Sequence, residues 1–196
     1  MIARARDRKC TDAELMEMLA KGEMDPLGEI YLRYGGAVRS LLWRLLPGRA
    51  ASDAEDLCQE VFMTVYETAA RFQLDREIRP WVYGITVRKA RSWRRKSWVR
   101  ENLLRKHAGE GISELMHTSA PPDSADATRY QINRAMGQLP PAQREVLVLY
   151  VAQNMSGEQI ADTLGVRINT VWTRLRRARL AMREALDTVD TSKPEK

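Results

Sequence analysis

The sequence predicts an all-α protein with two small helical domains, a flexible linker between them and a helix-turn-helix in the C-terminal domain. Apolar residues recur at intervals of three and four, as on one face of a helix, and no segment alternates convincingly like a strand. Ser/Thr-x-x-Glu/Gln sequences mark several helix starts. A stretch with scattered glycine, proline and serine divides the chain. We therefore predict domains at residues 1–100 and 129–190, with a linker at 101–128.

Two helices are predicted in the first quarter of the chain. The first begins at the Thr11 capping box and ends near Gly22. The second begins at Asp25, a helix cap followed by Pro26 at the first helical position, and ends at Pro47. Its apolar residues repeat at helical spacing, so we expect one buried face.

Two more helices complete the predicted first domain. A capping box at Ser52 opens the third helix, and acidic residues follow in its first turn, where the helix dipole favours them. Residues 73–79 are polar and predict a loop. Pro80 then opens a helix that becomes strongly basic after Val87. A weak extension of helix around Leu103 lies inside the predicted linker.

The second domain is predicted to contain four helices. One helix ends at Pro140, and the next begins at Pro141. A short helix runs from the Ser156 capping box to Gly165, which suits a left-handed C-terminal cap, and a long basic helix follows Asn169. This order of short helix, glycine turn and basic helix is a helix-turn-helix pattern, in which the second helix enters the DNA major groove.

The charge distribution indicates a polyanionic partner. The chain has 32 Lys and Arg against 26 Asp and Glu, a modest net charge of +6. The excess is concentrated in residues 88–100, with seven basic residues, and in residues 166–183, with six arginines, and neither block contains an acid. Two separated basic blocks without internal ion-pair partners predict two contacts with one long nucleic acid.

Several classes of protein are excluded. The longest apolar run, residues 146–152, is far short of the ~20 residues that a membrane-spanning helix needs, and no secretory signal is present. Cys10 and Cys58 cannot form a disulfide framework, so a reducing cytoplasm is expected. With His107 and His117 also isolated, no metal or cofactor is expected. No phosphate loop or nucleophile elbow is present, so we predict no catalytic residues and no enzyme.

The last helix carries the predicted DNA-recognition residues. Arginine binds guanine through two hydrogen bonds and also binds phosphate. Once the apolar stripe is assigned to the core, the residues that face outward or flank it are Trp172, Thr173, Arg174, Arg176, Arg177 and Arg179. The alternative is a solvated helix with salt bridges, but no acid in the block is available to form them.

The first basic block interleaves arginines with Trp93 and Trp98, and it follows Trp81 and Tyr83. Stacking platforms combined with cations suit single-stranded or opened nucleic acid. Core packing explains Trp81 and Trp93 at least as well, and the sequence leaves this alternative open.

Three segments together resemble bacterial RNA polymerase sigma factors of the extracytoplasmic-function group. Residues 53–62, D-A-E-D-L-C-Q-E-V-F, are similar to the polymerase-binding helix of that family, and residues 79–85, R-P-W-V-Y-G-I, are similar to its promoter-melting segment. The third segment is similar, in the order and spacing of its residues, to the second DNA-binding domain of that family. The similar residues are 139–140, 144–147, 160–161 and 170–179.

The resemblance implies roles for individual residues. Five would lie near the clamp of the largest polymerase subunit: Asp53, Glu55, Asp56, Gln59 and Glu60. Five more would serve minus-10 recognition and melting, together with the 73–79 loop: Arg79, Trp81, Arg88, Lys89 and Ser92. The outward residues of the last helix would face the minus-35 element. The first-turn acids also suit helix capping, and both roles are compatible.

The resemblance implies that core RNA polymerase and promoter DNA are the partners of this chain. It also implies control by an anti-sigma factor, often membrane-anchored, that would hold this cytoplasmic protein near the membrane without membrane insertion of its own. Four residues depart from the family pattern, and one of them is Thr86, which stands where the family often has alanine. Gly84 replaces a larger residue, Arg88 replaces an asparagine, and Trp172 replaces a polar or basic residue.

Two other functions are weighed against this one. A conventional helix-turn-helix regulator with a sensor or oligomerisation domain explains the C-terminal half, but it leaves the acidic helix and the Trp81 segment without a role. An enzyme would need paired carboxylates, and Glu55 and Glu60, five residues apart on a helix, do not share a face well.

Overall fold

A computed structural model describes residues 10–46, 51–108 and 124–190, and every regular element within these ranges is helical. The helices are α1 (Asp12–Ala20), α2 (Pro26–Leu45), α3 (Ala51–Thr68), α4 (Ile78–Ala108), α5 (Ser124–Gln138), α6 (Pro141–Leu147), α7 (Gly157–Leu164) and α8 (Ile168–Asp190). A 3-10 turn, Ala69–Arg71, follows α3, and a π-helical segment, Val148–Ala152, follows α6. The predicted all-α class is confirmed.

Local capping determines where two of the helices begin. The backbone N–H of Glu14 donates to the Thr11 hydroxyl at 3.3 Å, and the Thr11 N–H donates to the Glu14 carboxylate at 2.7 Å. Ser156 and Gln159 make the same reciprocal pair at the start of α7, at 3.2 and 3.0 Å. Gly165 ends α7 in the left-handed region, with φ 65°. All three predicted signals are confirmed.

Two other predicted helix starts are wrong by one or two residues, whereas the predicted start of α2 at Pro26 is confirmed. α3 begins at Ala51, before Ser52, so Ser52 is not the N-cap. α4 begins at Ile78, and Pro80 lies within its first turn, where a missing backbone N–H leaves no hydrogen bond unmade. Asp25 precedes α2 but makes no side-chain capping bond.

Helices extend into both ends of the predicted linker. α4 continues to Ala108, and α5 begins at Ser124. The predicted helix end at Pro47 and the middle of the linker, residues 109–123, lie outside the described residues. α8 begins at Ile168, ahead of the predicted start.

Helices α1 to α4 bury the apolar stripes that the sequence predicts. In α2, Ile30, Val38 and Leu41 are fully buried. The ring of Tyr31 meets Phe62 of α3 edge-on, with centroids 4.9 Å apart. Helices α6 to α8 form a similar centre with buried residues Leu149, Ile160, Val171, Leu175 and Ala178.

The two groups of helices pack against each other. α7 lies against α4, and the π-helical segment lies against α2. The hydroxyl of Thr163 on α7 donates to the Pro80 carbonyl of α4 at 3.4 Å. The amide of Gln159 donates to the carboxylate of Glu77, before α4, at 3.1 Å. Buried apolar residues from both halves therefore form one continuous core.

Arg144 is the principal buried cation, and it joins three parts of the chain. Its guanidinium donates to carbonyls at the end of α5 and beyond it, those of Met136, Gly137 and Leu139, at 2.7 to 2.9 Å. A fourth bond, at 3.2 Å, reaches the Leu45 carbonyl of α2. Burial lowers the pKa of Arg144 to about 10, so the side chain is charged at neutral pH and satisfies these carbonyls as a cation.

We expect Arg144→Lys to lower the free energy of unfolding by about 3 kcal/mol, because an ammonium cannot reproduce a four-bond guanidinium fork and leaves buried carbonyls unpaired. Chemical denaturation measures this loss. Arg134→Lys, an exposed position on α5, is the matched control and should change little. Equal unfolding midpoints for the two variants would contradict the role assigned to Arg144.

Candidate nucleic-acid and protein interfaces

Helix α3 presents an acidic face to solvent. Asp56, Gln59 and Glu60 are exposed, whereas Asp53 and Glu55 are half-buried. The buried side of the same helix carries the apolar stripe against α2 and α4. The acidic face therefore comprises Asp56, Gln59 and Glu60, three of the five residues that the sequence singled out.

Two of the four carboxylates in that set have partners within the protein. Glu55 accepts a hydrogen bond from the Tyr31 hydroxyl at 3.2 Å and lies 3.9 Å from the Arg39 guanidinium. Glu60 pairs with Lys89 of α4 at 3.3 Å. Glu55 thus helps to join α3 to α2, while Glu60 remains accessible in an exposed pair of the kind that contributes little to stability.

Helices α7 and α8 form the predicted helix-turn-helix, connected through the left-handed Gly165. Val171, Leu175 and Ala178 of α8 are buried, and this places the opposite side of α8 in solvent. Of the predicted recognition residues, Arg174 is half-buried and the other five are exposed: Trp172, Thr173, Arg176, Arg177 and Arg179.

The exposed side chains of α8 are not equally free to contact a ligand. The Thr173 hydroxyl donates to the Asn169 carbonyl at 2.8 Å, and the guanidinium of Arg179 lies over the Tyr150 ring, 5.1 Å from its centroid. Arg176 and Arg177 make no ion pair with any described residue. These two cations are therefore available for an anionic partner.

A cleft of about 400 Å³ separates the loop before α4 from helix α7. Two of the predicted minus-10 residues, Trp81 and Arg88, line it, together with Arg71 and Arg76. The Trp81 ring packs against Phe72 with centroids 5.1 Å apart. The cleft thus combines an aromatic wall and three arginines, groups that suit an unstacked base and its phosphates, with two carboxylates, Glu77 and Asp162.

The remaining predicted minus-10 residues lie elsewhere on α4. Arg79 lies over the Tyr83 ring at 5.7 Å, Lys89 pairs with Glu60, and Ser92 is half-buried. Partial burial lowers the pKa of Arg88, and the neighbouring Arg91 lowers it further. Arg88 therefore carries a charge that an added anion would stabilise.

The structure also shows an ion-pair cluster that the sequence did not predict. Glu145 is 1% exposed and accepts hydrogen bonds from Arg91 at 2.7 and 3.1 Å and from Arg94 at 3.0 Å. Its bond with Glu145 raises the pKa of Arg91. The sequence offered one indication of this cluster, because Glu145 stands beside Val146 on a helix whose apolar residues are predicted to be buried.

Gly84 permits α7 to approach α4 closely. A Cβ atom at Gly84 would lie 3.4 Å from the Thr163 carbonyl oxygen and 3.3 Å from the Arg88 guanidinium. A larger side chain, usual at this position in the family that the sequence resembles, would therefore meet the backbone of α7. The second domain covers part of the predicted minus-10 surface through this contact.

The tryptophans of the first basic block have different environments. Trp81 and Trp93 are half-buried against the core, and Trp98 is 66% exposed. Core packing thus accounts for the partial burial of Trp81 and Trp93, and Trp98 is the most accessible stacking platform of the three. Its neighbours Val99 and Leu103 are also exposed.

Within residues 10–46, 51–108 and 124–190, no group of three His, Cys, Asp or Glu side chains is arranged to hold a metal ion. Cys10 and Cys58 are free, and burial raises the pKa of the Cys58 thiol. No helix in these ranges is long and apolar enough to cross a membrane.

Comparison with known families matches both halves of the chain. Residues 30–100 match the model for sigma-70 region 2, and residues 129–182 match the model for sigma-70 region 4. The first match spans the acidic face and most of α4, and the second spans the helix-turn-helix. The two matches occur in the order that the sequence motifs predicted.

Individual relatives extend over nearly the whole chain. RNA polymerase sigma factor NccH of Alcaligenes xylosoxydans xylosoxydans is 28% identical over 182 residues, covering 90% of this chain and 95% of its own length. The ECF RNA polymerase sigma factor SigW of Bacillus subtilis is 28% identical over 178 residues, covering 87% and 94%.

A solved structure agrees with these relatives. Sigma factor RpoE of Bartonella quintana, in complex with the anti-sigma factor NepR, superposes with a TM-score of 0.67 and 25% identity, covering 84% of this chain and 98% of its own. The motifs, the two matched regions and the shared fold agree, and the chain belongs to the sigma-70 family as a sigma factor of the extracytoplasmic-function group.

Proposed function

We propose that this chain is an alternative sigma factor that binds core RNA polymerase and directs promoter-specific transcription initiation. The observation that carries the proposal is the presence of both sigma regions in order, with region 4 matched on a helix-turn-helix whose exposed arginines lack ion-pair partners. Sigma factors are initiation factors, and we infer no catalytic residue, metal or cofactor in this one.

The acidic face is the proposed polymerase contact. Asp56, Gln59 and Glu60 project into solvent from one rigid helix, and their charge suits a basic surface on the clamp of the largest subunit. Asp53 and Glu55 lie beside this face. Glu55 supports it from within, because its carboxylate accepts a hydrogen bond from Tyr31.

Helix α8 is the proposed minus-35 reader. Arg174, Arg176 and Arg177 lie on or beside its exposed side, at the spacing that places arginines along a major groove. Thr173 and Arg179 flank them, with part of their bonding capacity used inside the domain.

The cleft beside α4 is the proposed minus-10 site. Trp81 offers a stacking wall, and Arg88 supplies a cation on the same side of α4. Arg79, Lys89 and Ser92 extend the surface around it. Extracting a base from the duplex costs a few kcal/mol, so a pocket that holds the base would favour the opened promoter.

The arrangement in the structure is a closed form, in which the second domain occupies part of this surface. α7 forms one wall of the cleft, and Glu145 neutralises Arg91 and Arg94, which belong to the same basic block. Promoter DNA would need these arginines for its own phosphates. We infer that the two domains separate when the sigma factor engages polymerase and DNA.

An anti-sigma factor is the proposed regulator. The Bartonella sigma factor with the same fold was solved in complex with one, and both domains of the present chain align with it. A regulator that holds the domains together would keep the minus-10 surface covered in the bacterial cytoplasm. If that regulator is anchored in the membrane, it would also hold the sigma factor near the membrane.

We expect Asp56→Arg to weaken assembly with core polymerase, because it places a cation where the clamp is basic. Gel filtration of mixed components or surface binding to immobilised core enzyme measures the change. Glu23→Arg makes the same charge change at an exposed position off α3 and should assemble normally. Normal assembly of Asp56→Arg would remove α3 from the interface.

We expect Arg174→Ala or Arg177→Ala to weaken minus-35 recognition by about 1–3 kcal/mol if the arginine makes a bidentate base contact. Titration of holoenzyme against promoter and scrambled duplexes tests this. Arg183→Ala, at an 82% exposed side chain paired with Asp187 at 3.8 Å, is the control. Equal loss on every sequence would make the residue a phosphate contact instead.

We expect Glu145→Gln to loosen the closed form, because the two arginines lose their shared counter-charge. The free protein should then bind a single-stranded minus-10 oligonucleotide several-fold more tightly and expand in small-angle scattering. Glu184→Gln, exposed on α8, should do neither. A folded Glu145→Gln variant with unchanged affinity and size would show that domain closure does not limit DNA binding.

A further inference from the structure

Trp172 lies directly on Gly157. A Cβ atom at Gly157 would be 2.5 Å from Cζ2 and 3.0 Å from Cη2 of the indole, closer than such contacts allow. The ring therefore occupies space that only a glycine at the start of α7 leaves open. The large aromatic side chain of Trp172 on α8 thus packs against a residue of α7 that has no side chain.

Other side chains surround the indole within the domain. Tyr150 meets it in a T-shaped arrangement, with centroids 6.0 Å apart and planes at 75°. Ile168 reaches within 3.0 Å of the same point above Gly157. These contacts restrict the rotamer of Trp172, so its orientation is set before any ligand binds.

The indole is nevertheless 44% exposed, on the helix that carries the proposed minus-35 readers. Nearby polar groups have partners of their own, since the Thr173 hydroxyl is bonded to Asn169 and Arg179 is stacked on Tyr150. Trp172 therefore presents part of a fixed and largely apolar ring to solvent, beside polar side chains that already have partners.

In the major groove, the C5 methyl group of thymine is the apolar feature that base pairs display, and apolar side chains recognise it by contact. We propose that Trp172 is a specificity-determining residue that contacts a thymine methyl group in the minus-35 element. Gly157 is the positioning residue that seats the indole for this contact. The inference rests on the proposed function, because it assumes that α8 binds the minus-35 element.

Replacement of thymine by deoxyuridine tests the contact, because it removes the methyl group and leaves every base-pair hydrogen bond in place. A minus-35 sequence is first selected from a random duplex library with holoenzyme containing the full chain. Each thymine, on both strands, is then replaced singly by deoxyuridine. At one position we expect affinity to fall about three- to five-fold, as for the loss of one buried methyl group.

Protein variants identify the residue responsible. Trp172→Lys should bind the thymine and deoxyuridine duplexes equally, whatever its overall affinity. Gly157→Ala should also lose the discrimination, because the new methyl group displaces the ring. Gly36→Ala, at a helical glycine with nothing within 4 Å of the new atom, should retain it. The double variant Gly157→Ala/Trp172→Lys should behave like Trp172→Lys alone.

The outcomes distinguish a failure of the Trp172 inference from a failure of the proposed function. Promoter binding without any thymine-to-uridine effect, or discrimination that persists in Trp172→Lys, would overturn the inference and leave the proposed function intact. A uniform loss of affinity in Trp172→Lys, with no uridine-sensitive position in the wild type, would make Trp172 a backbone contact. Absence of sequence-specific binding by wild-type holoenzyme would contradict the proposed function itself. Trp172→Lys decides the case alone if Gly157→Ala does not fold.

Discussion

The buried carboxylate of Glu145 is the centre of an ion-pair cluster that joins the two domains. A carboxylate removed from water is costly unless it is paired, and its partners, Arg91 and Arg94, both come from the other domain. The arginines are themselves partly exposed, and Arg94 Nη1 is buried without a hydrogen-bond partner. The cluster therefore favours closure without making it irreversible, since separation returns all three groups to water. Salt screens a pair with a buried partner much less than a pair on the open surface.

The same two arginines belong to the basic block that the sequence assigns to nucleic acid. A phosphate and the Glu145 carboxylate offer a guanidinium equivalent acceptor oxygens, so either one satisfies the same donors. Under the proposed function, closure and DNA binding are alternative uses of one surface.

Sequence reasoning succeeded where the determining interactions are local. The capping boxes at Thr11 and Ser156, the left-handed Gly165 and the buried stripe of α8 depend on residues within a few positions of one another. It failed where partners are distant along the chain. Nothing near Glu55 in the sequence indicates its bond to Tyr31, and nothing near Glu145 indicates a contact 51 and 54 residues away. The predicted site residues lay on predicted helices, except Arg79, which was predicted to lie in the 73–79 loop and belongs to α4. The contacts that restrict these residues were set by tertiary packing.

Helix α7 makes two contacts that do not depend on each other, one with α4 of the first domain and one with Trp172 on α8. Its Thr163 end approaches α4 across Gly84, whereas its Gly157 end supports Trp172. The first contact crosses between domains and is lost when they separate. The second lies wholly within the helix-turn-helix and persists. Under the proposed function, opening the protein would uncover the minus-10 surface while delivering a recognition helix that is already assembled. A change at Gly84 should then alter access to the minus-10 surface without altering the minus-35 preference.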